Sequence, residues 1–214
     1  MADGATEAAV FGIFGLLLSL SFFGSASRLD ARRQLIIQEA NAIAAAYARV
    51  DLLPQEAQPE LRRLFREYVD VRLQISQTPE ENVAEHQVRN SARSREEIWS
   101  HAVMASNKDA SGAARLLLPA INEMISIANA KTIAVQTHLP GLVLTFLIGA
   151  ALLSGLVAGF GMARGARNWL SIFVYAALVT TTLYVMMDME YPRRGLIRIG
   201  AADRAMINLR DSIK

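Results

Sequence analysis

The chain has no cysteine. That excludes disulfides, thiolate metal sites and cysteine nucleophiles, and leaves the compartment open. Histidine is scarce: His86, His101 and His138 stand far apart on different segments. No His-x-x-x-His pair, carboxylate cluster at metal-ligand spacing, nucleophile elbow or phosphate-binding loop is present. The residues therefore point away from an enzyme, and no cofactor or metal is expected. The most polar group at membrane depth is Thr180, Thr181 and Thr182 with Tyr184, which is thin support for a lipid-modifying activity. Lys and Arg number 22 against 20 Asp and Glu, with the signs interleaved. Without a basic stripe carrying aromatics, a nucleic-acid partner is not expected. No alternating strand pattern is present either, so the expected fold class is all-α.

Charge itself is missing from three long stretches. Ala8 to Ser27, Leu139 to Ala163 and Asn168 to Met187 contain no Asp, Glu, Lys or Arg. A bilayer core of ~30 Å needs about 20 apolar residues in a helix. All three stretches qualify, and the chain is 52% hydrophobic, more than a soluble domain of this size needs. Ser25-Ala26-Ser27 has the look of a small-residue cleavage site, but no Lys or Arg precedes Arg28. A signal peptide needs a basic n-region, so the first stretch is expected to remain as a span.

Basic residues near the membrane ends set the expected orientation. Arg28, Arg32 and Arg33 follow the first span, and Arg193, Arg194 and Arg198 follow the third. Arg164 and Arg167, between the second and third, run mildly against the rule and can snorkel to headgroups. The expected order is a short outer N-terminus (1–7), a first span (8–27), a cytosolic helical region (28–138), a second span (139–162), an outer turn (163–167), a third span (168–187) and a cytosolic tail (188–214).

Helical spacing continues past the first span. Leu29, Ile36, Ala40, Ile43, Tyr47 and Val50 recur three and four apart until Pro54. A helix of about 45 residues would run roughly 65–70 Å, with a kink allowed near Gly24-Ser25. A second helix is expected over Ala57 to Ile75. A third is opened by a Thr78-Pro79-Glu80-Glu81 capping box and runs to about Ala105. A fourth leads to His138, with a kink allowed at Pro119. Met206, Ile207, Leu209 and Ile213 mark a short amphipathic segment suited to docking on the cytosolic helices.

Two sets of residues are candidate site residues. Phe14, Leu18 and Phe22 lie four apart on one face of the first span, with Val10. If several copies surrounded an axis they would form an apolar constriction; otherwise they meet lipid or pack. Arg28, Arg32, Arg33, Asp188 and Glu190 gather at the inner ends of the first and third spans. They act either as anchors or as an inter-helix pair, Asp188 or Glu190 with Arg28 or Arg32. In an oligomer such a pair would become a ring of charge at a pore's inner mouth.

Several segments together resemble the bacterial bestrophin-like domain family. They are Phe11-Gly12-Ile13-Phe14-Gly15, the run Arg28 to Ile43 with Arg32, Arg33, Glu39 and Asn41, then Asp51-Leu52-Leu53-Pro54, and Arg66 to Leu73 with Tyr68, Asp70 and Arg72. The tail from Met187 through Asp188, Glu190, Pro192 and Gly195 to Arg198 belongs to the same pattern. The resemblance reaches more distantly to bestrophins, which are pentameric ion channels. It implies a homo-oligomer, pentameric by analogy, in a bacterial inner membrane. The first helix would line an axial pore for small inorganic ions. Arg32 matches in place the Arg that follows the bestrophin pore span. The chain departs from bestrophins in having no counterpart of their first span, and Arg33-Gln34 replaces aromatics. No calcium site carries over. The alternative is a non-conducting membrane-anchored helical scaffold or sensor, which the long, charge-balanced region 28–138 would also suit.

Overall fold

The computed structural model describes residues 2–77, 81–108, 112–162, 169–191 and 200–213. Every regular element among them is helical. In chain order these are α1 (Ala2–Ala48), a 3-10 turn (Arg49–Leu52), α2 (Gln58–Gln77), α3 (Glu81–Lys108), a second 3-10 turn (Ala113–Leu116), α4 (Leu117–Gln136), α5 (Gly141–Met162), α6 (Trp169–Glu190) and α7 (Gly200–Ser212). The expected cap at Thr78-Pro79, the 163–167 turn with Arg164 and Arg167, and the tail residues Arg193, Arg194 and Arg198 lie outside the described residues. Among the described residues three helical stretches are long and apolar enough to cross a membrane: Gly4–Leu52, Leu117–Phe160, which contains most of α5, and Trp169–Glu190.

α1 runs through Gly24 and Ser25 without interruption, so the helix passes from the uncharged segment directly into the charged one. It stops at Ala48, earlier than Pro54 suggested. The 3-10 turn tightens the chain first, and Leu53 is extended (φ −82°, ψ 160°), as the residue before a proline prefers. Gln58 then donates from Nε2 to the Leu53 carbonyl at 2.8 Å, closing the corner before α2. Pro119 falls in the first turn of α4 rather than mid-helix, where its missing N–H breaks no hydrogen bond. Gly112, at φ +73°, takes the left-handed conformation that an L side chain would strain.

The chain divides into two compact units, Met1–Asp30 with Thr137–Ile197, and Ala31–Gln136 with Arg198–Lys214. The first contains the start of α1 with α5 and α6. Among its described residues few side chains are buried; Phe14, Leu147 and Met186 are examples. Its large apolar residues instead point outward: Leu142 is 82% exposed and Phe160 76%. A surface this apolar suits lipid or further copies of the chain. Within the apolar helices Ser154 and Tyr175 hydrogen-bond to each other through their hydroxyls, and Phe11 meets the Tyr175 ring edge-on at 5.7 Å. The pair satisfies polar atoms that lipid could not.

The second unit has a core of its own. α2 presents Leu61, Leu64, Phe65, Tyr68 and Val69 at three- and four-residue spacing. α4 adds Leu117, Ile121 and Met124, the later part of α1 adds Ile43 and Ala46, and the 3-10 turn after it adds Val50. α7 buries Met206 and Leu209 in the same cluster, joined by Ile213 just past its end. Phe65 and Tyr47 meet at 5.9 Å edge-to-face, and Arg62 lies over the Tyr47 ring at 5.0 Å. Burial of one stripe per helix is what holds such a unit together.

Candidate functional site

In the first unit, Glu190 is the convergence point. Its helix ends there, and its side chain is 3% exposed. Ser25 donates from Oγ to Glu190 Oε1 at 2.9 Å, and Arg28 donates from Nε to the same oxygen at 2.8 Å. Ser25 and Arg28 are three apart on α1 and so share a face. The Leu139 backbone N–H donates to Glu190 Oε2 at 3.2 Å. Leu139 lies in the break between α4 and α5, so this N–H has no helical carbonyl to bond. The Arg28 guanidinium lies back over Gly24, where an added Cβ would stand in ordinary contact with Nη1 at 3.4 Å. The His138 ring stacks on Tyr191 at 5.0 Å beside this cluster. Asp188 is also turned inward, 7% exposed, and is engaged with its neighbours.

Among the pairings expected between the charges at the ends of the first and third spans, Arg28 with Glu190 is formed. Arg32 is 4% exposed and donates from Nε to the Ala134 carbonyl at 3.0 Å. Ala134 is in the last turn of α4, where carbonyls lack helical donors, so Arg32 caps that helix. Arg33 is half-buried and engaged. Glu190→Ala is expected to leave Arg28, Ser25 and the Leu139 N–H without their acceptor. The expected loss is about 2–4 kcal/mol, read as a lower melting midpoint of the detergent-purified protein, with Glu190→Gln falling between.

The candidate neck residues occupy one side of α1. Phe14 is 5% exposed, and Leu18 and Phe22 are half-buried. The opposite side is open. There Leu16, Leu20 and Phe23 are 61%, 61% and 73% exposed. Spacing of apolar residues alone did not separate these two faces, because both carry large side chains.

The second unit holds a charge cluster that no reading of the sequence assembled. Glu39 is fully buried on α1. Arg72 approaches Oε1 through Nε at 2.6 Å, a close ionic contact without hydrogen-bond alignment, and donates from Nη2 to Oε2 at 2.8 Å. Lys131 donates to Oε2 at 2.7 Å, and the Tyr68 hydroxyl donates to Oε1 at 3.2 Å. Glu39 lies about 18 Å along the helix beyond Ser27, where the uncharged segment ends. Burial alone would raise its carboxyl, but Lys131 and Arg72 outweigh burial and hold it down to about 2. Burial pushes the Tyr68 hydroxyl up to about 12. Burial would lower Arg72, but Glu39 overcomes this and the guanidinium is raised. The signal was legible in principle: Glu39 falls on the same stripe as Ile36, Ala40 and Ile43, where a charge needs a partner.

A groove of about 370 Å³ between α3 and α4 is lined by Arg95, Glu96, Trp99, Asn122 and Asn129. Arg95 donates to Asn129 Oδ1 across it at 3.3 Å. Among the described residues no group of His, Asp and Glu could hold a metal ion.

Comparison with known proteins gives one family and one fold. The family model described as "Bestrophin-like domain" matches residues 6–203. Among solved structures, a tyrosine-to-alanine variant of a bacterial Bestrophin homolog from Klebsiella pneumoniae aligns with TM-score 0.73 and 14% identity. That alignment covers 97% of this chain and 88% of that one. A leucine-to-threonine variant of the same homolog aligns with TM-score 0.72 and 12% identity, covering 96% and 87%. A structure described as a membrane protein aligns with TM-score 0.74 and 12% identity, covering 96% and 87%. At these identities the likeness establishes the fold alone. No curated protein matches the chain.

Proposed function

The chain belongs to the Bestrophin-like domain family, and from that premise we propose that it assembles as a homo-oligomeric ion channel with α1 lining an axial pore. Small inorganic ions are the permeant species, and a ring of five copies is the assembly the family resemblance implies. The observation that carries the proposal is the open face of α1. A 47-residue helix contains the uncharged segment 8–27, continues into a charged one, and leaves an apolar row unpacked by its own chain. A row of that kind requires lipid, another protein or a pore axis to face.

The neck belongs on this helix. Phe14, Leu18 and Phe22 form one candidate row by spacing. Burial of Phe14 within the protomer favours the opposite row, Leu16, Leu20 and Phe23, as the lining. The N-terminus is assigned to the outside and residues 28–138 and 188–214 to the cytosol of a bacterial inner membrane, on the basic residues after the first and third spans.

Class averages of the detergent-purified protein test the assembly, and planar-bilayer recordings in KCl test conduction. A ring with α1 nearest the axis and discrete currents are the expected results. A monomer or dimer without an axial path would sink the channel and leave a membrane-anchored scaffold or sensor, a role that the separate core of the second unit would serve. Because the native chain lacks cysteine, single cysteines at Gly4 and Lys108 report topology directly. A membrane-impermeant maleimide added to intact cells is expected to label the first and spare the second. The reverse pattern would invert the assigned orientation.

A further inference from the structure

We propose that Asp30 sets the charge preference of the conducting path, favouring cations; this rests on the channel reading above. Within the first unit the open face of α1 carries Leu16, Leu20, Phe23, Ser27 and Asp30. Their spacing is four, three, four, three. That rhythm keeps one seam of a helix toward a common axis over several turns. All five are exposed in the single chain. Read along the helix, the seam passes from three large apolar side chains to a hydroxyl and then to a carboxylate. Phe23 and Asp30 are separated by about 10 Å of helix. An ion leaving the apolar constriction would therefore meet one acid from every copy.

The neighbouring charges are turned elsewhere. Between Leu16 and Asp30 the only other charged residue is Arg28, which is held by Glu190. Glu190 and Asp188 are themselves buried. Just beyond, Arg32 is buried against the Ala134 carbonyl, and Arg33 is half-buried and engaged. The basic residues that dominate this stretch of sequence thus do not dominate the open seam. Asp30 has contacts of its own. Its side chain is nonetheless exposed, so the carboxylate reaches the open face of the helix. Repetition around an axis sums the fields of the copies, and low-dielectric walls focus them.

The test uses the full chain in planar bilayers under a KCl gradient, with the reversal potential giving the ratio of potassium to chloride permeability. The native protein is expected to prefer potassium by roughly threefold or more. Asp30→Asn is expected to bring the ratio close to one, and Asp30→Lys to turn it toward chloride. Arg33→Gln is expected to keep the preference for potassium. A native channel that prefers chloride would overturn the proposal without any variant, and so would an Asp30→Asn channel with an unchanged ratio; both leave the channel reading standing. No current at all from a correctly assembled native protein would remove the channel reading and this inference with it.

Discussion

Alanine at Leu16, Leu20 and Phe23 together is expected to raise the single-channel conductance of the reconstituted protein, by roughly threefold or more if dewetting limits flow. Each side chain is more than half exposed in the isolated chain, so trimming it removes little packing within the protomer. Water would then fill the widened path, and an ion would no longer cross a dry segment. The matched triple, Phe14→Ala with Leu18→Ala and Phe22→Ala, is expected to behave differently. Phe14 is 5% exposed, and replacing a buried Phe by Ala costs about 3–5 kcal/mol. This variant should lose thermal stability before it gains conductance. Recording both triples separates the two faces of one helix. Increased conductance in the Phe14 set with unchanged stability would move the neck to that face, and unchanged conductance in both would put the pore elsewhere.

Glu39→Ala is expected to be among the most destabilising substitutions in the second unit. It leaves Arg72 and Lys131 facing each other without their shared carboxylate, and an unpaired buried charge costs about 3–5 kcal/mol. A markedly lower midpoint in a fixed-rate thermal melt checks this. Replacing Glu39, Arg72 and Lys131 together by Met should recover much of the loss, because no charge then remains buried. The native cluster also predicts a pH dependence. The Glu39 carboxyl is depressed from 4.5 to about 2 in the folded chain. Its contribution is therefore complete above pH 4.5 and is lost as the pH falls from there through about 2, amounting to about 3 kcal/mol. Across that acid window Glu39→Gln should show a flatter stability profile than the native chain. Equal slopes in the two proteins would mean that other carboxylates govern acid unfolding.

Periodicity served well where one physical rule dominated. Three uncharged segments read as spans, and three helices of the required length and apolarity are there. Met206, Ile207, Leu209 and Ile213 read as an amphipathic segment; Met206, Leu209 and Ile213 enter the core of the second unit, and Ile207 stays exposed. Helix ends were harder. Pro54 and Pro119 draw attention as helix breakers, but the first lies beyond a helix already ended by a 3-10 turn, and the second lies in a first turn that tolerates it. The motif segments that mark the family contain Glu39, Tyr68 and Arg72. Nothing in their spacing reveals that α1 and α2 bring them to one point, with Lys131 supplied from α4.

Readable from the residues alone were the helical class, three helices apolar enough to span a membrane, the absence of thiol chemistry and the family. Those follow from composition, charge-free length and local motifs, which act over a few turns and need no knowledge of neighbours. Tertiary structure decided how charges are partnered and which face of each helix is left open. Arg28 took Glu190 from 162 residues away, Arg32 took a helix-end carbonyl, and Asp30 kept its place on the exposed seam. A helix has several faces of similar composition, and only the packing of other helices against it determines which of them is removed from solvent, lipid or a pore.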